Sequence, residues 1–242
     1  MGFFDFLTRP GAPAPTAAGP GARPGHAPGA TRALRALLAQ PRAQRDPAWS
    51  EAFLAQVADA AFFTRQPEVV LGAGRPYFAL HTEPAGAAGA LPHPSHVIHH
   101  LLEDLLLERG LGVVINPVGP DADWAFSYGD LLQFHLHGGF YPARTGPADP
   151  IPAEARLPAP ARQALRTYLQ QLGVAAPGVR LGATDHAGPG SLELVFRFSP
   201  QEFQGLDAFQ AAMGTLAWFL PRNYSYSVAG NPARQEGGFE PL

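Results

Sequence analysis

Hydrophobic positions along the chain follow two patterns, a three-to-four residue stripe that predicts helices and a period of two that predicts strands. Residues 31–40 and 46–64 read as helices. The second opens on Asp46-Pro47, a side-chain cap followed by proline, and places Phe53, Leu54, Val57, Ala60 and Ala61 on one face. Residues 68–71 and 76–82 read as short strands joined by a turn at Gly72-Ala73-Gly74. A helix over 96–109, capped by Ser95, carries Ile98, Leu101, Leu102, Leu105 and Leu106 as its buried stripe and ends at Gly110. Strands follow at 111–117 and 124–128, and Ser127 with Asp130 has the spacing of a capping box that opens a helix through His137.

Beyond residue 160 the order recurs. A helix over 161–172 stops at Gly173, and alternating apolar residues predict strands around 179–183 and 192–198. Ser199-Pro200-Gln201-Glu202 reads as a second capping box, whose helix puts Leu206, Phe209, Met213, Leu216 and Leu220 on one stripe. Pro221 ends it, and Tyr224, Tyr226 and Val228 alternate as a last strand. Both halves thus read helix–strand–strand–helix–strand. This predicts an α+β protein of two small sheet-plus-helix units, residues 31–140 and 161–229. Residues 141–160, with six prolines and no apolar period, read as the linker between them, and 230–242 as a loose tail.

Composition changes the picture at the N-terminus. Of residues 10–30, 18 of 21 are Gly, Pro or Ala, too little side chain to offset an ordering entropy, so residues 1–30 read as a short aromatic peptide on a disordered tether. The peptide carries Phe3, Phe4, Phe6 and Leu7. It is a candidate for docking on a partner, for folding back onto a groove of the protein itself, or for a frayed start.

Charge and absences bound the chemistry. All 17 basic residues are Arg against 20 Asp and Glu, a formal net charge of −3, and there is no Lys and no Cys. Arg without Lys reads as coding bias. Its absence removes Schiff-base chemistry, a pyridoxal phosphate aldimine and a phosphate-binding loop ending in Gly-Lys-Ser/Thr. Lack of Cys removes thiol nucleophiles, disulfides and Cys-held zinc. No Arg cluster offers the basic face that nucleic acid requires. No apolar run is long enough for a transmembrane helix, and the aromatic peptide is too small for stable membrane association, so a cytoplasmic setting is expected.

Histidine is the one concentrated reactive type. His96, His100 and Asp104 are spaced i, i+4, i+8, and two histidines at i, i+4 can share a zinc ion. His135 and His137 would add to such a site from a strand, where both rings face one side. On a helix they diverge and only complement its C-terminal dipole. The bland alternative for His96 and His100 is a solvent face opposite the leucine stripe. Ser127 lacks a nucleophile elbow and Ser191 lacks a base, while neither Asp121 with Asp123 nor Glu103 with Asp104 opposes two carboxylates across a site. Gly72-Ala73-Gly74 lacks the third glycine of a dinucleotide fingerprint and precedes a strand. Tyr224 and Tyr226, with Trp218 and Phe219 upstream, and the stretch Trp124–Tyr128 are the aromatic candidates for a contact surface.

Residues 109–117, Arg-Gly-Leu-Gly-Val-Val-Ile-Asn-Pro after a leucine-rich helix, resemble the helix–strand–Asn-Pro passage of SseB-type proteins, the enhanced-serine-sensitivity family. The element order of 68–137 and 160–229 is similar to that family as well. The tether and the histidine-rich helix depart from it. The resemblance implies small non-catalytic α+β domains linked to binding other proteins, with no catalytic residues to carry over. The expected function is a non-enzymatic protein-interaction module without a cofactor, contacting its partner through Phe3, Phe4 and Phe6, Trp124 and Tyr128, or Tyr224 and Tyr226. The alternative is a zinc-binding protein or metallohydrolase using His96, His100, Asp104 and His135 or His137.

Overall fold

Each half of the chain is organised by a β-hairpin whose second strand leads through a helix into a parallel strand. The computed structural model describes residues 28–64, 69–72, 74–83, 98–117, 122–137, 139–140, 157–184, 191–197, 203, 205–221, 224, 226–228 and 239–242. Phe3, Phe4, Phe6, Ser95, His96, residues 141–156 of the linker expected over 141–160 and the capping box at 199–202 lie outside them, and the end of that linker, from Ala159, is helical.

Helix α1 spans Pro28–Leu38 and α2 spans Pro47–Val57. Asp46 caps α2 as its sequence predicts, its carboxylate accepting the Trp49 amide at 2.7 Å with Pro47 in the first turn. Strands β1, Val69–Gly72, and β2, Arg75–Leu80, form the expected hairpin, with Gly72 opposite Arg75 and Val69 opposite Phe78. Helix α3 starts as Ile98–Leu101 and continues over Leu102–Leu107 as a π-helix, a departure from the uniform α-helix expected over 96–109. Gly110, at φ +65°, ends it, and the Leu111 amide reaches back to the Leu106 carbonyl at 3.0 Å. Strand β3, Gly112–Ile115, runs parallel to β2 and is buried at every position. Strand β4, Trp124–Phe126, closes the first sheet antiparallel to β3, in the order β1-β2-β3-β4. The predicted capping box then opens α4, Tyr128–His137: the Ser127 amide donates to Asp130 Oδ2 at 2.8 Å and the Asp130 amide to Ser127 Oγ at 3.1 Å.

The second half repeats the plan. Helix α5 spans Ala159–Gln171, the hairpin is β5, Gly178–Thr184, with β6, Ser191–Arg197, and α6, Leu206–Phe219, leads to β7, Tyr226–Val228, parallel to β6. The recurrence therefore extends from element order to strand polarity: hairpin, helix, parallel strand in both halves. Only the fourth strand differs. In the second sheet it is β8, Glu240–Pro241, which pairs with β5 and gives the order β7-β6-β5-β8.

Three expectations are corrected here. The helix expected over 46–64 stops at Val57, and Phe63 forms an isolated antiparallel bridge with His81 instead. The end of the expected loose tail is pinned: the Leu242 side chain is wholly buried, its amide donates to the Pro177 carbonyl at 3.3 Å, and Glu240 pairs with Arg162 at 3.0 Å. Helix α6 begins at Leu206 behind Gly205, and its buried face is Ala212, Thr215, Leu216, Trp218 and Phe219. Leu206 is 68% exposed, because the helix is turned to seat Trp218 and Phe219 against the first half. One cluster of buried side chains runs through both halves, joining Phe53, Phe126 and Leu131 to Leu165, Phe196 and Leu216. Among the described residues no helix is long and apolar enough to cross a membrane.

Candidate binding groove at the seam between the halves

Aromatic side chains make the seam. Trp218 of α6 donates its indole Nε1–H to the Tyr77 hydroxyl of β2 at 3.0 Å, with the two rings edge to face at 5.9 Å. Tyr128, at the start of α4, packs against Phe219 at 4.9 Å between ring centroids and donates its hydroxyl to the Leu107 carbonyl at 3.0 Å. Phe219 in turn meets Tyr168 of α5, edge to face at 5.6 Å. Gly110 leaves room for this approach: a Cβ there would lie 3.3 Å from that of Ala164.

Above this floor the surface opens into two cavities along α5, of about 310 and 320 Å³. Glu108, just after the π-helical part of α3, lines both. The first is walled by Leu107, Tyr128, Leu132 and His135 from the first half and by Pro158 and Ala161 from the second. The second lies between Arg109 and Gly110 on one side and α5 on the other, with Phe219 and the half-buried Ala164 and Tyr168 beneath. Its rim on α5 is Gln163, Thr167 and Gln171, all exposed and one helical turn apart. The Thr167 hydroxyl donates to the Gln163 carbonyl at 2.9 Å, which leaves its oxygen free to accept. From Pro160 to Gln171 the helix advances about 16 Å, the span of roughly five extended residues.

Burial keeps Tyr128 protonated, because its phenolate would be desolvated beneath the first cavity, and it raises the pKa of Tyr224 and Tyr226 in the same way. Each folded-state pKa lies above the unfolded value of about 10, so the stability these groups contribute is complete below that pH and is lost as pH rises through the folded value. Unfolding followed by urea titration is expected to show stability falling above pH 10, with a shallower fall in Tyr128→Phe. At neutral pH that substitution leaves the buried Leu107 carbonyl without its donor and costs about 1–2 kcal/mol.

A second polar cluster sits at the carboxyl ends of the parallel strands β2 and β3, where open α/β sheets commonly bind ligands. Asn116, the one described non-glycine residue at positive φ (+48°), hydrogen-bonds Thr82 and donates to Asp123 Oδ2 at 2.9 Å. Arg45 donates to the Asp123 carbonyl at 3.0 Å and Arg35 to that of Thr82. These groups are spent on one another. They clamp α1 and the segment just before α2 to the sheet.

The expected site residues scatter. His135 is exposed on α4 and lines the first cavity, while His137 belongs to the same helix, so the two do not face one side as on a strand. His96 and the side chains of His100, Asp104 and His137 lie outside the described residues; the α-helical register that would align 100 with 104 is broken by the π-helix from Leu102. Among the described residues no three or more His, Asp or Glu side chains gather as a metal site. Tyr128 is fully buried and Tyr224 nearly so, which corrects their expected place on a contact surface: both are core residues. Trp124 is half-buried within an aromatic stack with Trp49 and Phe53, and Tyr226 is half-buried on the edge strand β7.

The groove residues Glu108, Arg109, Gln163, Thr167 and Gln171 escape sequence reasoning. Their signal, polar residues at i, i+4 and i+8 on a helix, is that of any solvated face; only the second wall makes it a groove. Comparison of the chain with protein-family models, curated proteins and solved structures gives no match.

Proposed function

We propose that this chain is a non-enzymatic, cytoplasmic protein-interaction module, and that its contact site is the seam groove along α5, which takes an extended peptide segment of another protein. The observation that carries this reading is the pairing of an uncharged amide and hydroxyl rim, Gln163, Thr167 and Gln171, with an apolar floor of Ala164, Tyr168 and Phe219. A peptide backbone presents N–H and C=O groups in alternation, and a side-chain amide can meet either. The apolar floor accepts the peptide's side chains, and the length along α5 suits about five residues. The resemblance to SseB-type proteins belongs to the same proposal, since it implies non-catalytic domains that bind proteins.

Selection from a displayed random-peptide library against the full chain tests the reading. Enrichment of a peptide class is expected with the wild-type chain and with Gln170→Trp, an exposed change outside the groove lining, and is expected to vanish with Thr167→Trp, whose indole would fill the cavity. No enrichment, or enrichment indifferent to Thr167→Trp, would overturn it.

A further inference from the structure

We infer that the resting occupant of the seam groove is a segment of this same chain, Phe3-Phe4-Asp5-Phe6-Leu7, an inference that rests on reading the groove as a peptide site. Three matches carry it. The first is length: five extended residues span about 16 Å, the distance the groove runs along α5. The second is pattern. Two partly apolar cavities flank Glu108, with Arg109 beside the junction, and the segment has aromatic residues on either side of a single Asp5. Phe3 or Phe4 would enter one cavity and Phe6 the other, which seats Asp5 at the junction, where the Arg109 guanidinium offsets the like charge of Glu108. The third is reach. Residues 8–27 number twenty and extend up to about 60 Å, more than the roughly 36 Å that two radii of gyration span for a chain of this length, so the groove lies within range of the start of α1.

No other cluster of large apolar side chains lies in residues 1–30, and the Gly, Pro and Ala between offer nothing comparable to bury. Attachment also raises the local concentration of the segment to the millimolar range, so an intrinsic dissociation constant near 0.1 mM already gives about nine-tenths occupancy. An outside peptide would then compete with the chain's own segment, and its apparent affinity would be reduced about tenfold.

The test uses the full chain with a photoreactive benzoylphenylalanine at position 4. Irradiation is expected to yield crosslinks within one molecule to residues 157–171 or 219, unchanged over a hundredfold dilution and absent in Thr167→Trp. In parallel, a synthetic peptide of residues 2–9 is expected to bind Phe3→Ala/Phe4→Ala/Phe6→Ala about tenfold more tightly than the wild-type chain. Crosslinks elsewhere on the chain, crosslinks only between copies, or no crosslinks would overturn the inference, as would equal affinity of the added peptide for both chains. If library peptides still select the groove while position 4 fails to crosslink there, the self-occupancy falls and the peptide-site reading stands. If both fail, both fall.

Discussion

Gly129→Ala is expected to leave little or no folded protein at 37 °C. A Cβ at that position would lie 1.9 Å from the Leu220 carbonyl oxygen and 3.0 Å from the Pro221 nitrogen, both of them backbone atoms that cannot swing aside as a side chain would. Helix α4 of the first half and the end of α6 in the second touch there without any side chain between them. Relief requires the halves to separate along the seam, and that opens the contacts of Tyr128 with Phe219 and of Tyr77 with Trp218. The cost is expected to exceed about 4 kcal/mol, in the range reserved for overpacked or broken cores. Gly29→Ala is the matched control. Nothing lies within 4 Å of its Cβ, and the position is an exposed one in α1, so it should be neutral or stabilising by up to about 1 kcal/mol. Thermal melts of the two variants should differ by about ten degrees or more. Equal melts would mean that α4 and α6 are not in contact at this point.

Leu242→Ala is expected to cost about 2–5 kcal/mol, measured by urea unfolding. Its side chain is fully buried in the shared cluster, and β8 just before it pairs with β5 through Val179 and Gly178. Truncation removes apolar contacts and leaves a cavity that neighbouring side chains close only in part. A loss below 0.5 kcal/mol would place this residue back in the loose tail that its sequence suggests. Glu240→Gln, which weakens the exposed pair with Arg162, is expected to change little, as exposed ion pairs contribute about 0–1 kcal/mol.

Cap and turn signals are legible in the sequence, whereas the end of α2 at Val57 and the π-helical stretch of α3 are not. Asp46-Pro47 caps α2, Ser127 and Asp130 cap each other, and the hairpin turn after Gly72 falls where the glycines put it. The repeated element order proved to be a repeated topology, because a hairpin followed by a helix and a further strand has few ways to bury its apolar faces. The larger departures are non-local. The burial of Tyr128 depends on the second half arriving over it. The buried face of α6 is set by Trp218 and Phe219 meeting the first half, and apolar spacing within α6 could not reveal that. The pinned end at Leu242 needs a strand some sixty residues earlier in the chain. The groove failed for the same reason, since Glu108 and Arg109 stand across from Gln163, Thr167 and Gln171 only once the halves close. The concentrated reactivity visible in the sequence lies in its histidines. The candidate site is built instead from residues that look like ordinary surface.

A groove with one wall from each half is a binding site only if the halves are one cooperative body. The three tryptophans allow this to be measured: Trp49 and Trp124 report on the first half and Trp218 on the second. In Trp218→Phe, fluorescence follows the first half alone, and in Trp49→Phe/Trp124→Phe it follows the second. Urea unfolding of each variant, recorded by tryptophan fluorescence and by far-ultraviolet circular dichroism, is predicted to give coincident midpoints in both, the signature of a single transition. Fluorescence midpoints that depart from the dichroism, early for one half and late for the other, would contradict a shared core and with it a site at the seam.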